Sequence, residues 1–150
     1  MRKTTKIAII VFAVAVVAGL VIWDTPRNRV DLLLERDAIE QAVKAYFKAE
    51  MEQNFKQVYT YLAPSSDYRK THSYQDFLNE VGKSPVRIRK YRIVDIYRLR
   101  NNDNRKTYPS VDKFVQVEVD VDIGFSDTSA NSTYNYCFTF LKEYGVWYKG

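Results

Sequence analysis

Residues able to do chemistry are sparse in this chain, and their densest run is "SSDYRKTHSY", residues 65–74, with Asp67, Tyr68, His72 and Tyr74. His72 is the only histidine. A histidine near a carboxylate makes a general acid–base pair because its pKa lies close to neutrality. His72 also directly precedes Ser73, a residue type suited to cap a helix, and an exposed, cap-flanking role is the plainer expectation. Asp95 ranks above it. In "YRIVDIYRL" it shares strand parity with Tyr91, Ile93 and Tyr97, which directs it to the interior, where a carboxylate among tyrosines has a raised pKa and serves as a base. The competing expectations are a neighbouring arginine or tyrosine as partner, or a bulge that turns Asp95 outward.

A third group lies in "FVQVEVDVDIGF", residues 114–125, where Val115, Val117, Val119, Val121 and Ile123 alternate with Gln116, Glu118, Asp120 and Asp122. Carboxylates two apart on one strand stand roughly 6.5–7 Å apart, too far to share a small cation without ligands from other strands. Eight basic side chains, among them Arg87, Arg89, Lys90 and Arg92, occupy residues 86–106 against only Asp95 and Asp103. Paired as a hairpin, the two segments place opposite charges across from one another, each pair worth a few tenths to about 1 kcal/mol. Glu118, Asp120 and Asp122 therefore read as the outer wall of a sheet and, with Arg87 and Arg89, as an interaction face. No metal or cofactor is expected. Paired histidines, a glycine-rich phosphate loop and a nucleophile elbow are all missing from the sequence. The single cysteine, Cys137, excludes an intramolecular disulfide and in "YCFTFL" reads as a small buried hydrophobe.

The elements that must position these residues are legible from periodicity. "DLLLERDAIEQAVKAYFKAEMEQN" carries Leu32, Ile39, Ala42, Val43, Tyr46 and Phe47 on one helical stripe. Asn54 is placed to cap a second, short helix that Pro64 stops. "SYQDFLNEVG" predicts a third, opened by a Ser73/Asp76 capping pair and closed by Gly82 in a left-handed conformation. Beyond Pro85 the pattern is strand-like. A change of phase within "VRIRKYRIVDIYRLR" predicts a bulge near Arg89 and Lys90, and polar turns separate the strands that follow. Helices first, then an antiparallel meander, is an α+β layout.

Ahead of this domain, Ile7–Trp23 is an uncharged run of 17 residues, about 26 Å as a helix and close to a hydrocarbon core of about 30 Å. It reads as a transmembrane signal anchor rather than a cleaved signal peptide, because Leu20–Trp23 occupy the place of a polar cleavage region. The expected organisation is a basic tail (1–6), an anchor (7–23), a linker (24–30) and a folded domain (31–150). Basic residues flank the anchor on both sides. The acid-free N-terminal tail tips the orientation towards an extracytoplasmic C-terminal domain. Of the 23 basic residues three precede the anchor and 20 follow it, against 18 acids that all follow, so the domain carries only +2 of the total +5. Nucleic-acid binding is accordingly given little weight.

The phrases "AVKAYFKAEMEQNFKQVYTYLAP", "HSYQDFLNEV" and "FLKEYGVWYKG" together resemble the NTF2-like superfamily, the cystatin-like α+β cone, over roughly Asp31 to Gly150. The resemblance implies about three helices packed on a curved antiparallel sheet. It lies in layout, without a catalytic signature, and the last strand is unusually short. Enzymes of this fold such as scytalone dehydratase and ketosteroid isomerase use His/Asp or Asp/Tyr sets, which implies for this chain a pocket lined by Tyr59, Tyr91, Asp95 and Tyr97, with Asp95 or His72 as the base. The leading expectation is instead a non-enzymatic, membrane-anchored module of the cell envelope. It would contact a protein partner or a second copy through the sheet face, as in assembly components of envelope machines such as type IV secretion systems. A small-ligand or proton-transfer pocket protein is the alternative.

Overall fold

The computed structural model describes residues 30–125 and 130–150. The tail, the expected anchor and all of the linker but its last residue lie outside the described residues. Among the described residues no helix is long and apolar enough to cross a membrane. The chain divides into two units, residues up to Leu34 and Glu35–Gly150; the second is an α+β domain of four antiparallel strands and a few helices.

Helix α1 covers residues 30–51 and is followed by α2 (Phe55–Tyr61), α3 (Asp67–Thr71) and α4 (Tyr74–Lys83). The buried stripe of α1, Ile39, Val43, Tyr46 and Phe47, lies at the helical spacing expected. Gln53, at φ 53°, breaks the chain between α1 and α2. Asn54 then caps α2 by accepting from the Gln57 N–H, and Ser73 and Asp76 form a reciprocal capping box on α4. Two local expectations are corrected. The three helices expected become four among the described residues, because the polar run 65–74 contains a short helix of its own, α3, capped by Ser66. Gly82 is not a left-handed stop: α4 continues through it to Lys83 and ends at Ser84 in extended geometry, because Pro85 disfavours helical geometry in the residue before it.

Strands β1 (Val86–Asn101), β2 (Val111–Phe125), β3 (Asn131–Glu143) and β4 (Val146–Lys149) form one sheet in sequence order. Tyr144 and Gly145, both at positive φ, make the tight turn into β4. On β2 the alternation holds: Val115, Val117, Val119, Val121 and Ile123 are all buried on the inner face. Each contributes roughly 1.5–3 kcal/mol of apolar burial. The rings of Tyr91 on β1 and Phe138 on β3 flank this valine row and meet Phe47 of α1, Tyr91 stacked at 4.9 Å and Phe138 edge-on at 5.5 Å. That contact seats the helix layer on the sheet.

β1 slips register three times, between Ile88 and Lys90, Ile93 and Asp95, and Tyr97 and Arg100. The first slip is the bulge expected near Arg89 and Lys90. The second is the competing expectation for Asp95, a bulge that turns it outward, and the last, which contains Arg98 at φ 53°, was not expected. Each slip changes which face the following residues take.

Candidate functional site

The second slip decides the fate of Asp95. It breaks the parity with Tyr91 and Ile93, so Ile96 is buried and Asp95 is exposed, its carboxylate accepting from the Ile96 N–H at 2.8 Å. The expected base is thus on the solvent side. Tyr97 sits opposite Gln116 and lies 3.2 Å through its hydroxyl from Cys137 Sγ, a contact that raises the phenol's pKa. Cys137 is exposed rather than buried, because it pairs in register with Glu118 and therefore shares the outer face. Tyr59 lies among the helices, donating to the His72 carbonyl at 3.0 Å with the Arg69 guanidinium 4.3 Å from its ring. The four pocket residues Tyr59, Tyr91, Asp95 and Tyr97 are not brought together.

His72 ends α3 and precedes the cap of α4, as a cap-flanking residue would. Its ring stacks on Tyr68 at 4.4 Å and its Nε2 lies 3.6 Å from Glu80 Oε1. The Tyr68 phenol donates to Glu80 Oε2 at 2.6 Å, and burial together with that carboxylate pushes its pKa up to about 12. The trio holds α3 to α4. Tyr68 also lines a cleft of about 570 Å³ with Asp67, Arg100, Asn102, Tyr108 and Phe114. The Arg100 guanidinium, 5.3 Å from the Phe114 ring, is its main cation.

Two clusters that sequence reasoning missed are assembled from distant segments. Tyr46 donates to Glu50 at 2.7 Å along one face of α1. Burial raises the Glu50 carboxyl above its ordinary pKa, against the hydrogen bond from Tyr46 and the nearby charges of Lys149 and Arg87. Burial likewise lowers Lys149, whose ammonium sits over the Phe138 ring at 5.7 Å. The i, i+4 spacing of Tyr46 and Glu50 on an apolar stripe was the available signal. At the other end of α1, Glu35 accepts from Lys142 at 2.7 Å, Lys113 at 3.1 Å and the Trp147 indole at 3.2 Å. Burial works to raise its pKa, but these three donors overcome that and hold it below the ordinary carboxylate range.

The outer face of the sheet carries polar side chains that meet across its strands. Asp120 lies opposite both Arg92 and Asn135 in the register and accepts from each, and these bonds keep its pKa low. Asp122 faces Lys90 across one strand and accepts from Thr133 on the other at 2.7 Å. Between these pairs and Tyr97 the register sets Glu118 directly against Asp95, two carboxylates side by side. Of the basic residues assigned to this face, Arg87 donates to the Ser84 and Val86 carbonyls. Arg89 lies across Gly124, where a Cβ would overlap its Nε. Among the described residues no group of three or more His, Cys, Asp or Glu is placed to hold a metal ion. No family model matches the chain, and no curated protein matches it significantly.

Proposed function

We propose that this chain is a non-enzymatic interaction module. In this reading an NTF2-like domain is held outside the cytoplasm by an anchor at residues 7–23, and it engages a protein partner through the outer face of its sheet. Support comes from the order of helices followed by an antiparallel meander, and from the apolar run of the N-terminal segment. The observation that carries the reading is the Asp95–Glu118 step. Like charges directly opposite each other on neighbouring strands are destabilising, yet here they interrupt a face whose other carboxylates, Asp120 and Asp122, are each met by a side chain from a neighbouring strand, whereas Asp95 accepts from the Ile96 N–H beside it in the chain. Two carboxylates set against one another on a polar face suit a partner presenting basic groups, which would give orientation and association rate.

The test separates function from stability. The double variant Asp95→Asn, Glu118→Gln relieves the repulsion and is expected to gain up to about 0.5 kcal/mol in urea denaturation, while recovering less partner than the parent in pull-downs from gently solubilised membranes. Equal partner recovery would reduce the face to a solvated wall.

A second reading is favoured by Glu50. A carboxyl with a raised pKa, hydrogen-bonded to Tyr46 and near Lys149, is the kind of group that binds a small ligand or moves a proton. Under it, Glu50→Gln abolishes ligand binding or turnover in a folded protein and leaves partner recovery untouched.

A further inference from the structure

The geometry points to a second copy of this chain, paired antiparallel along the free edge of β3 about a two-fold axis at Asn135, so that the four-stranded sheets of two molecules become one. β4 covers β3 only from Phe140 to Glu143, and Gly150 adds one bond to the Thr139 carbonyl. Among the described residues nothing pairs with the outward edge of residues 131–138. Because the Thr139 carbonyl points outward, strand alternation turns the backbone groups of Cys137, Asn135 and Thr133 outward as well.

Such edges are ordinarily blunted by charged side chains, proline or a bulge. This one has none of the three: "NSTYNYCFT", residues 131–139, is uncharged, contains no proline, and runs against β2 without a register slip. The polar side chains best placed to shield the edge are turned away from it. Thr133 donates to Asp122 and Asn135 to Asp120, both on β2. Two copies therefore meet there without like-charge repulsion, in a chain that is 27% charged as a whole.

The side chains select the register. Tyr134 and Tyr136 project on the inner face opposite Val121 and Val119, yet each is 43% exposed, their rings 6.0 Å apart. With the axis at Asn135, Tyr134 of each copy falls opposite Tyr136 of the other, in the non-hydrogen-bonded positions where side chains approach closest, and cross-strand aromatic pairs are among the stabilising ones. Thr133 then faces Cys137 of the second copy on the outer side, and about six main-chain hydrogen bonds close the interface. Centring the axis further towards Thr139 would drive the strand into β4. The arrangement is isologous and closes as a dimer. It uses a surface other than the Asp95–Glu118 face, so either can fail without the other.

Thr133→Cys in the full-length chain, oxidised in membranes or mild micelles, tests the register. Residues 133 and 137 of two copies would lie about 5.5 Å apart between Cα atoms, within the disulfide window of roughly 4.4–6.8 Å. The expected result is a reducible species of twice the 17.6 kDa chain mass, with the 133–137 linkage confirmed by peptide mass spectrometry. The parent, and Thr133→Cys with Cys137→Ser, should not cross-link, since like positions sit about 13 Å apart. Asn135→Cys with Cys137→Ser, which disturbs a different side-chain bond, should cross-link to itself. Asp95→Asn, Glu118→Gln added to Thr133→Cys should cross-link as well as Thr133→Cys alone. The proposal is overturned if the 133–137 species forms no more than in the two controls and the Asn135 variant also stays monomeric. It is equally overturned if the adduct has the mass of a different protein, which would make the edge a site for another chain's strand.

Discussion

Glu35 shows how one side chain ties the helix layer to the sheet. Its carboxylate, only 15% exposed, is met by Lys113 and Lys142, themselves about one-fifth exposed. Its pKa is held low in the folded state, so the folded protein binds this proton less tightly than the unfolded chain does. The stability this contributes is fully present above the ordinary carboxylate value of about 4.3 and is lost as pH falls through the depressed folded value. Glu35→Gln is therefore expected to cost about 1 kcal/mol at pH 7, where two largely buried ammoniums lose this charged acceptor, and to flatten the fall in stability below pH 4. Urea midpoints measured from pH 7 down to pH 2.5 check both. Glu143 plays a neutral-donor version of the same part: fully buried, it accepts from the Ser65 N–H and hydroxyl and from Ser110, pinning the α2–α3 connection to the β3–β4 hairpin.

At the scale of elements, the short α3 is the least self-sufficient piece. Five residues cannot sustain a helix by propensity, and it is held from outside by its cap and by Arg69, whose guanidinium donates to the Tyr59 and Leu62 carbonyls. Buried Ser66 works twice, accepting from the Arg69 N–H and donating to the Ala63 carbonyl at 2.8 Å. Ser66→Ala should cost about 1–2 kcal/mol, and hydrogen exchange of the Lys70 and His72 amides, which close α3 onto Ser66 and Tyr68, should quicken more than that of β2. Exchange that rises equally everywhere would show that α3 opens only with the whole domain. β1 is the opposite case: its sixteen residues absorb three register slips against β2, which itself pairs with β3 in unbroken register from Lys113 to Gly124.

For the whole molecule, the proposed anchor makes a direct prediction. The full chain should stay with membranes through alkaline carbonate extraction, and a chain beginning at Asp24 should not. Release of the full chain would remove the membrane from the proposal without touching the fold of residues 35–150. At this scale the two exposed surfaces also differ in kind. The outer face is a ladder of mostly satisfied polar side chains, whereas the β3 edge offers unsatisfied main chain beside two tyrosines. The first suits a partner chosen by charge and the second a strand chosen by register.

Legible in the sequence were the α+β class with helices ahead of strands, though not α3, the Ser73 and Asn54 caps, the inner valine row of β2 and the pairing of basic β1 with acidic β2. All of these follow from periodicity and from neighbours close in the chain, which a linear reading contains. Which residues meet is set by contacts between segments far apart in the chain. Asp95 lies outside the interior because a slip between Ile93 and Asp95 reverses its face; "RIVDI" is compatible with either face, and the pairing with β2 selects the bulge. Cys137 proved exposed because its face is inherited from Glu118 across the ladder, not from its apolar neighbours in the chain. Glu50 and Lys149 came together across about a hundred residues. Local pattern sets the phase of an element only until its first irregularity, and contacts between elements depend on packing that no single segment encodes.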